Sequence, residues 1–509
     1  MYLLVIFALI FLYYYSKRNH DYWKIRNIKY EDPMPLFGNN LDNYIGKCSW
    51  TETSMKYYYK YPNEKVVGYY RGTKPELIIR DPDIARQILN IDFSHFYPRG
   101  LGRDSEPLLR NVFHVDGDRW KMLRQRLTPA FTSGKLKAMF PLIVNCARKL
   151  QTLTDGIALN KDEYDIRELM ARFTTEFIGA CGFGIEMDTL NNEESLFRDL
   201  GRTIFTRTNK SLLLFALKDL FPEITNRVSS LNPAIANTIT QILIKIREQR
   251  NFKPSGRNDF VDLLLELESK GKISVESIEM RNPDGSPITV EMEMDVQMQM
   301  AQLFVFFAAG FETSSSATSF TLHQLAYHPE IQERIHKEID QVLSKNNNEL
   351  SYEAVKEMDL LDRAFKEALR MFPSLGNLNR DCARKYTIPD LNITIDPGVK
   401  IVIPLMAIQN DEKYFKNPRE FDPDRFLEEN TKQMNKYVYM PFGEGPRMCI
   451  GARLGQMQSL AGLAAVLQKF RVEPSKSTVR YPEILHTSNV VQSIKNGLPL
   501  HIVRRENTL

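Results

Sequence analysis

The stretch Pro441-Phe442-Gly443-Glu444-Gly445-Pro446-Arg447-Met448-Cys449-Ile450-Gly451 carries the main signal in this chain. Its glycines and Pro446 forbid a regular helix before the cysteine, so the thiol sits on a tight loop whose backbone amides can point at the sulfur. Apolar residues resume helical spacing through Leu454, Leu460 and Leu463, placing Cys449 near a helix N-terminus. Amide donors stabilise a thiolate, and the helix dipole lowers a thiol pKa. Taken alone, a cysteine on such a loop is more often a small buried apolar side chain or an ordinary nucleophile.

Three other segments belong with it. Asp295 to Tyr327 is a long proline-free segment, apolar nearly all round from Ala301 to Ala309, and must form a helix that crosses the core. Within it, Ala309-Gly310-Phe311-Glu312-Thr313 carries a glycine that costs about 1 kcal/mol relative to alanine in a helix, which suggests a function. Small Ala309 and Gly310 let the backbone approach a planar group, the Thr313 hydroxyl can bond a preceding carbonyl or hold water, and Glu312 can relay protons. The plain alternative is a small-residue helix crossing with a back-bonded threonine. Glu367-Ala368-Leu369-Arg370 sets opposite charges at i and i+3 in an apolar helix, ahead of Phe421-Asp422-Pro423-Asp424-Arg425-Phe426. Trp120 and Arg124 stand on adjoining turns of a helix beginning near Asp118, where both reach a carboxylate on a large ring.

Phe442, Gly445, Arg447, Cys449 and Gly451 match the haem loop of the cytochrome P450 family position by position, and the chain resembles that family over almost its whole length. The resemblance implies a mainly α fold with a small β-sheet region, one large haem domain, and haem b as cofactor. It implies Cys449 as the iron's axial ligand, Phe442 as a shield of the sulfur, and Arg447, Trp120, Arg124 and Arg380 as propionate partners. Arg99 reads rather as a solvated loop charge. Ala309, Gly310, Glu312 and Thr313 resemble the oxygen-binding helix, and Glu367, Arg370 and Arg425 a buried network that locks the cysteine loop. Leu127 to Lys135, Phe173 to Gly184 and Phe306 to Ser316 look most like insect microsomal members that oxidise plant toxins and insecticides. Two departures stand out: the family's proline-rich hinge is reduced to Pro33 and Pro35, and the helix acid is Glu312 rather than aspartate.

The implied activity inserts one oxygen atom of O2 into lipophilic small molecules. No G-x-G-x-x-G follows a strand, so electrons come from a separate NADPH-dependent reductase, with cytochrome b5 as a further donor. Lys121, Arg124, Arg126, Lys135 and Lys137 offer a basic docking face or an ordinary charged surface. The substrate pocket is assigned by segment to Gly100–His114, Leu212–Phe215, Phe304, Val305, Ala309 and Ser374–Leu378, with Phe113, Leu375 and Leu378 as candidate contacts. A haem-thiolate isomerase or dehydratase that needs no O2, and a non-catalytic haem sensor, are the competing functions; the Gly310-x-Glu312-Thr313 path disfavours both.

Composition agrees with this reading. A net charge of +4 over 509 residues argues against a nucleic-acid binder. Five cysteines without a C-x-x-C pair fit a reducing compartment. Met1 to Tyr15 is apolar without interruption and is followed by Lys17 and Arg18, the pattern of an uncleaved anchor with a cytosolic domain. Fifteen helical residues span roughly 22 Å against a hydrocarbon core of about 30 Å, so the anchor is short but tolerable in the endoplasmic reticulum. The expected organisation is an anchor at 1–18, a linker at 19–38 and a catalytic domain at 39–509. Leu212 to Phe221 is apolar enough to dip into the membrane. Val66 to Arg80 reads as a β-hairpin and Pro82 to Leu89 as a helix.

Overall fold

The computed structural model describes residues 2–102, 106–192, 195–205, 209–225, 228–229, 231–257, 259–486 and 491–506. Helices dominate. The elements that build the site are α1 (Tyr2–Lys17), α2 (Gly117–Leu127), α3 (Ser133–Asn160), α4 (Ile166–Ile178), α5 (Asn209–Leu220), α6 (Val296–Ala326), α7 (Asp359–Met371) and α8 (Ala452–Lys469). The strands used below are β1 (Val66–Arg71), β2 (Lys74–Ile79), β3 (Lys272–Arg281), β4 (Pro287–Glu293), β5 (Leu378–Asp381) and β6 (Lys400–Ile403).

The central helix forms where its sequence places it. Asp295 caps α6, its carboxylate accepting from Met298 N at 2.6 Å, and the helix runs 31 residues. Almost all its side chains from Gln299 to Ala326 are buried, as an all-round apolar helix requires. It packs on α4, α7 and α8 in one large apolar core that includes Phe173, Phe307, Phe320, Leu463 and Val466.

The hairpin expected from Val66 to Arg80 is β1–β2, with Val66 opposite Ile79. It extends into a four-stranded sheet, β2 pairing in parallel with β6, and β6 antiparallel with β5. The helix expected from Pro82 to Leu89 is α-helical only to Arg86 and continues as a wider π-turn, Gln87–Ile91. Within the segment 19–38, side chains pack on the sheet. Trp23 is fully buried, donates its indole N–H to Tyr69 O at 3.1 Å, and occupies the space over Gly68, so this segment is part of the sheet's core. The β3–β4 hairpin, Lys272 to Glu293, has no counterpart among the sequence expectations; it lies against α2. Among the described residues, no helix is long and apolar enough to cross a membrane.

One buried ionic network connects α7 to the cysteine loop. Glu367 and Arg370 are both fully buried, bonded at 2.7 and 2.9 Å, and Arg425 Nε reaches Glu367 at 3.2 Å. Arg370 also donates to the carbonyls of Gln409 and Pro418. Gln409 Oε1 accepts from Met440 N at 3.0 Å, and Met440 O accepts from Gly443 N at 2.9 Å, so the network ends inside the loop itself. Burial raises the Glu367 pKa, and the bond and charge of Arg370 pull it the other way. Replacing Glu367 by glutamine strands Arg370, so a loss of about 3–5 kcal/mol in a denaturant melt is expected; a loss under about 1 kcal/mol would mean the network does not hold the loop.

Candidate haem-thiolate site

The loop geometry follows from its glycines. Gly445 has φ +76°, and a Cβ there would run into Leu89 O, so only glycine fits. The turn closes through Met448 N to Gly445 O (3.0 Å) and Cys449 N to Phe442 O (2.8 Å), and α8 starts after Gly451. Phe442 packs at the margin of the main core. The Cys449 thiol lies deep enough for burial to push its pKa up, yet it retains open surface, as a group lining a hollow would. Bonding from Gly451 N–H and the charges of Arg124 and Arg99 act the other way without reversing the shift. Burial is the largest of these influences on the thiol.

Around this loop lies a group of arginines. Arg447, buried, donates to Tyr97 O (2.9 Å), Val115 O (3.0 Å) and Asp116 Oδ1 (2.7 Å), and its guanidinium stacks 4.3 Å from the Trp120 ring centre. Arg124 donates to Met448 O at 2.8 Å. Arg99 donates to Arg447 O at 2.7 Å and to Phe113 O at 3.0 Å, so it is a member of the cluster and not a solvated loop charge. Arg380, from β5, is 3% exposed; among the described residues it bonds only its neighbour's carbonyl, through Nη1, and its Nε is buried without a partner.

Electrostatics agree with the geometry. Burial, reinforced by mutual repulsion, pushes the pKa of Arg99 down to about 10, that of Arg447 down to about 9, and that of Arg380 well below its ordinary value. Burial also lowers that of Arg124. Among the described residues, Asp116 is the carboxylate that opposes these shifts at Arg99, Arg380 and Arg447. A cluster with so little counter-charge has the chemistry to receive an anion with more than one negative charge.

On α6, Ala309 is exposed and Thr313 half-buried, one turn apart on one face of an otherwise buried helix. Thr313 Oγ donates to Ala309 O at 2.6 Å, and Ser374 Oγ donates to Thr313 O at 3.1 Å. The other two residues of the motif turn elsewhere. Gly310 has Ile178 of α4 where its Cβ would be, so its small size serves the packing of α6 on α4. Glu312 is buried and ion-paired with Arg167 of α4.

The candidate substrate contacts separate in the same way. Leu378 lies 3.9 Å from the Cβ position of Gly443, and Phe113 is stacked under Arg99 with its ring centre 4.4 Å away, both beside the loop. Phe304 and Val305 are 4% and 8% exposed, and Leu375 is half-buried, bridging to Val491. Positions 103–105 of the Gly100–His114 segment lie outside the described residues. The basic docking face is largely engaged: Lys121 pairs with Glu276 (3.8 Å), Arg126 donates to Ser274 O (3.5 Å), Lys137 pairs with Glu353 (2.5 Å), and Arg124 turns inward.

A family model described as Cytochrome P450 matches residues 28–500. The chain belongs to the cytochrome P450 family. It is 37% identical to Cytochrome P450 6a2 of Drosophila melanogaster, over 99% of each chain. It is 36% identical to Cytochrome P450 6B1 of Papilio polyxenes, over 99% of this chain and all of that one, and 35% identical to Cytochrome P450 6B2 of Helicoverpa armigera, over 98% and 97%. Its cofactor is haem b, and it is a haem-thiolate monooxygenase, an oxidoreductase that works with O2, a reductase and lipophilic substrates.

The residues fit that cofactor. Haem b carries two propionates, and the unpartnered Arg380 Nε among buried guanidiniums fits such an anion, while the open surface of Cys449 fits a thiolate facing iron. Arg380→Met should therefore speed haem loss. A charge-assisted bond worth about 1.5–3 kcal/mol corresponds to roughly ten- to a hundred-fold, measured as transfer to excess apomyoglobin. An unchanged rate would remove Arg380 from the propionate site.

Proposed function

We propose that this P450 is a membrane-anchored enzyme of the endoplasmic reticulum that oxidises lipophilic foreign compounds such as plant toxins and insecticides, with Cys449 as its iron ligand. The convergence of the Cys449 loop with the under-neutralised arginine cluster carries the reading. Residues 1–18 act as the anchor, and cytochrome b5 as a second electron donor. Supporting the membrane placement, the end of the apolar helix α1 touches the segment after α5: Tyr15 stacks on Phe221 (6.3 Å between centres) and Arg18 pairs with Glu223 (3.2 Å). Leu213 of α5 and Ile224, next in sequence to Glu223, are 62% and 78% exposed.

The bound haem supplies dioxygen binding and activation, with electrons received from the reductase. The chain's own residues set the conditions. Gly451 N–H and the Arg124 and Arg99 charges stabilise the Cys449 thiolate against its burial. Arg380, Arg124, Trp120, Arg447 and Arg99 would hold the propionates, with Asp116 limiting the excess positive charge. Ala309 leaves room on the face of α6 where Thr313 holds its hydroxyl proton against Ala309 O. For Glu312 to pass a proton toward Thr313, its carboxylate must leave Arg167 and rotate off the α4 side.

The test is NADPH-driven oxidation of an apolar probe by membrane-bound protein with reductase. Product should require NADPH, reductase and O2, and Thr313→Ala should lower product of the order of a hundred-fold while NADPH consumption and peroxide release continue. Rearrangement of a peroxide at full rate without reductase would instead support an isomerase or dehydratase.

A further inference from the structure

The N-terminus of α2 does not use the cap its own sequence provides. Asp116 holds the N-cap position with the extended backbone usual there, yet its side chain accepts nothing from α2. Its oxygens are committed elsewhere: to Arg99 N (2.8 Å) and Arg447 Nη2 (2.7 Å), and to Gly100 N (3.2 Å). A helix start has orphan amide donors that need an acceptor. Here the acceptor comes from the β3–β4 hairpin: Glu279 Oε2 lies 3.2 Å from Asp118 N.

The fit is specific. Gly117 has φ +59°, and the Glu279 carboxylate stands where a Cβ would project, so the pairing needs both a left-handed backbone and no side chain. The arrangement is also reciprocal. Asp118, buried, accepts from Ile278 N (2.6 Å) and Ser277 Oγ (2.8 Å), so the helix binds the hairpin that caps it. Tyr97 Oη donates to Glu279 Oε1 at 3.5 Å, Arg384 donates to Ile278 O at 2.9 Å, and Tyr97 O is itself an acceptor of Arg447.

We propose that Glu279 is a positioning residue for the haem pocket: by capping α2 from outside, it leaves Asp116 to orient Arg447 and the Arg99–Gly100 turn. This rests on the reading that the arginine cluster holds the propionates. Without Glu279, the N-terminus of α2 has Asp116 as its natural acceptor. Once Asp116 turns to the helix, Arg447 keeps only its carbonyl partners Tyr97 and Val115, Gly100 N loses its acceptor, and the positive charge beside the haem is less offset, which favours the reduced, less positive iron.

The test compares wild type, Glu279→Ala and Glu279→Gln as haem-loaded full chains in membranes, reading the haem midpoint potential and the rate of haem loss. The alanine variant should show a higher potential and about ten-fold faster loss, the equivalent of one hydrogen bond. Glutamine keeps an acceptor oxygen and should restore most of both. Asp116→Asn should shift the potential in the same direction, and adding Glu279→Ala to it should change little more. Should the alanine variant fail to accumulate, Glu279→Asp, one methylene short of Asp118 N, takes its place with the same expected direction. Unchanged potential and haem loss in folded Glu279→Ala, or glutamine as impaired as alanine, would overturn the proposal. A wild type without thiolate-ligated haem would instead overturn the reading of the site.

Discussion

The structure depends on a charge imbalance. Guanidiniums of Arg99, Arg124, Arg380 and Arg447 are gathered around one loop with Asp116 as the carboxylate set against three of them, at the expense of their own hydration. A chain does not collect buried cations in this way without support, because each loses solvation that neighbouring protein dipoles only partly replace. Much of the remaining fold supplies that support. The carbonyls of Tyr97, Val115 and Phe113 receive the guanidinium donors, and the Trp120 ring stacks on Arg447. The Glu367–Arg370–Arg425 network, through Gln409 and Met440, fixes the start of the loop.

Two devices hold the loop from opposite sides. On the α7 side a carboxylate and two guanidiniums satisfy one another and the backbone around them. On the α2 side the helix and the β3–β4 hairpin exchange caps, so the N-terminus of α2 and the turn at Gly100 are set relative to Arg447. Between them the Cys449 thiol keeps an open face despite its depth.

How much of this was legible in the sequence depended on whether the signal was local. The loop's glycine and proline spacing, the all-round apolar character of α6 and the β-branched run of β1 and β2 are local patterns, and each formed where its residues placed it. Long-range consequences were not legible. That Gly310 faces Ile178 and Glu312 faces Arg167 depends on the crossing of α6 with α4, which no window of sequence contains. Arg99 read as a solvated loop charge because nothing near it reveals that Arg447 O lies within reach. Trp23, inside a proline-bearing stretch, read as linker although it fills the space over Gly68. The β3–β4 hairpin alternates apolar and polar residues from Ile273 to Glu276 and turns at Asn282-Pro283-Asp284-Gly285, a local signal that the sequence carries.

The measurement that bears most directly on the central claim is the absorption spectrum of the reduced, membrane-bound protein under carbon monoxide, wild type against Cys449→Ser. The account requires the strongly red-shifted Soret band of thiolate-ligated haem in wild type and its loss in the serine variant with haem still bound. The same band in both proteins, or its absence from folded, haem-loaded wild type, would contradict ligation by Cys449.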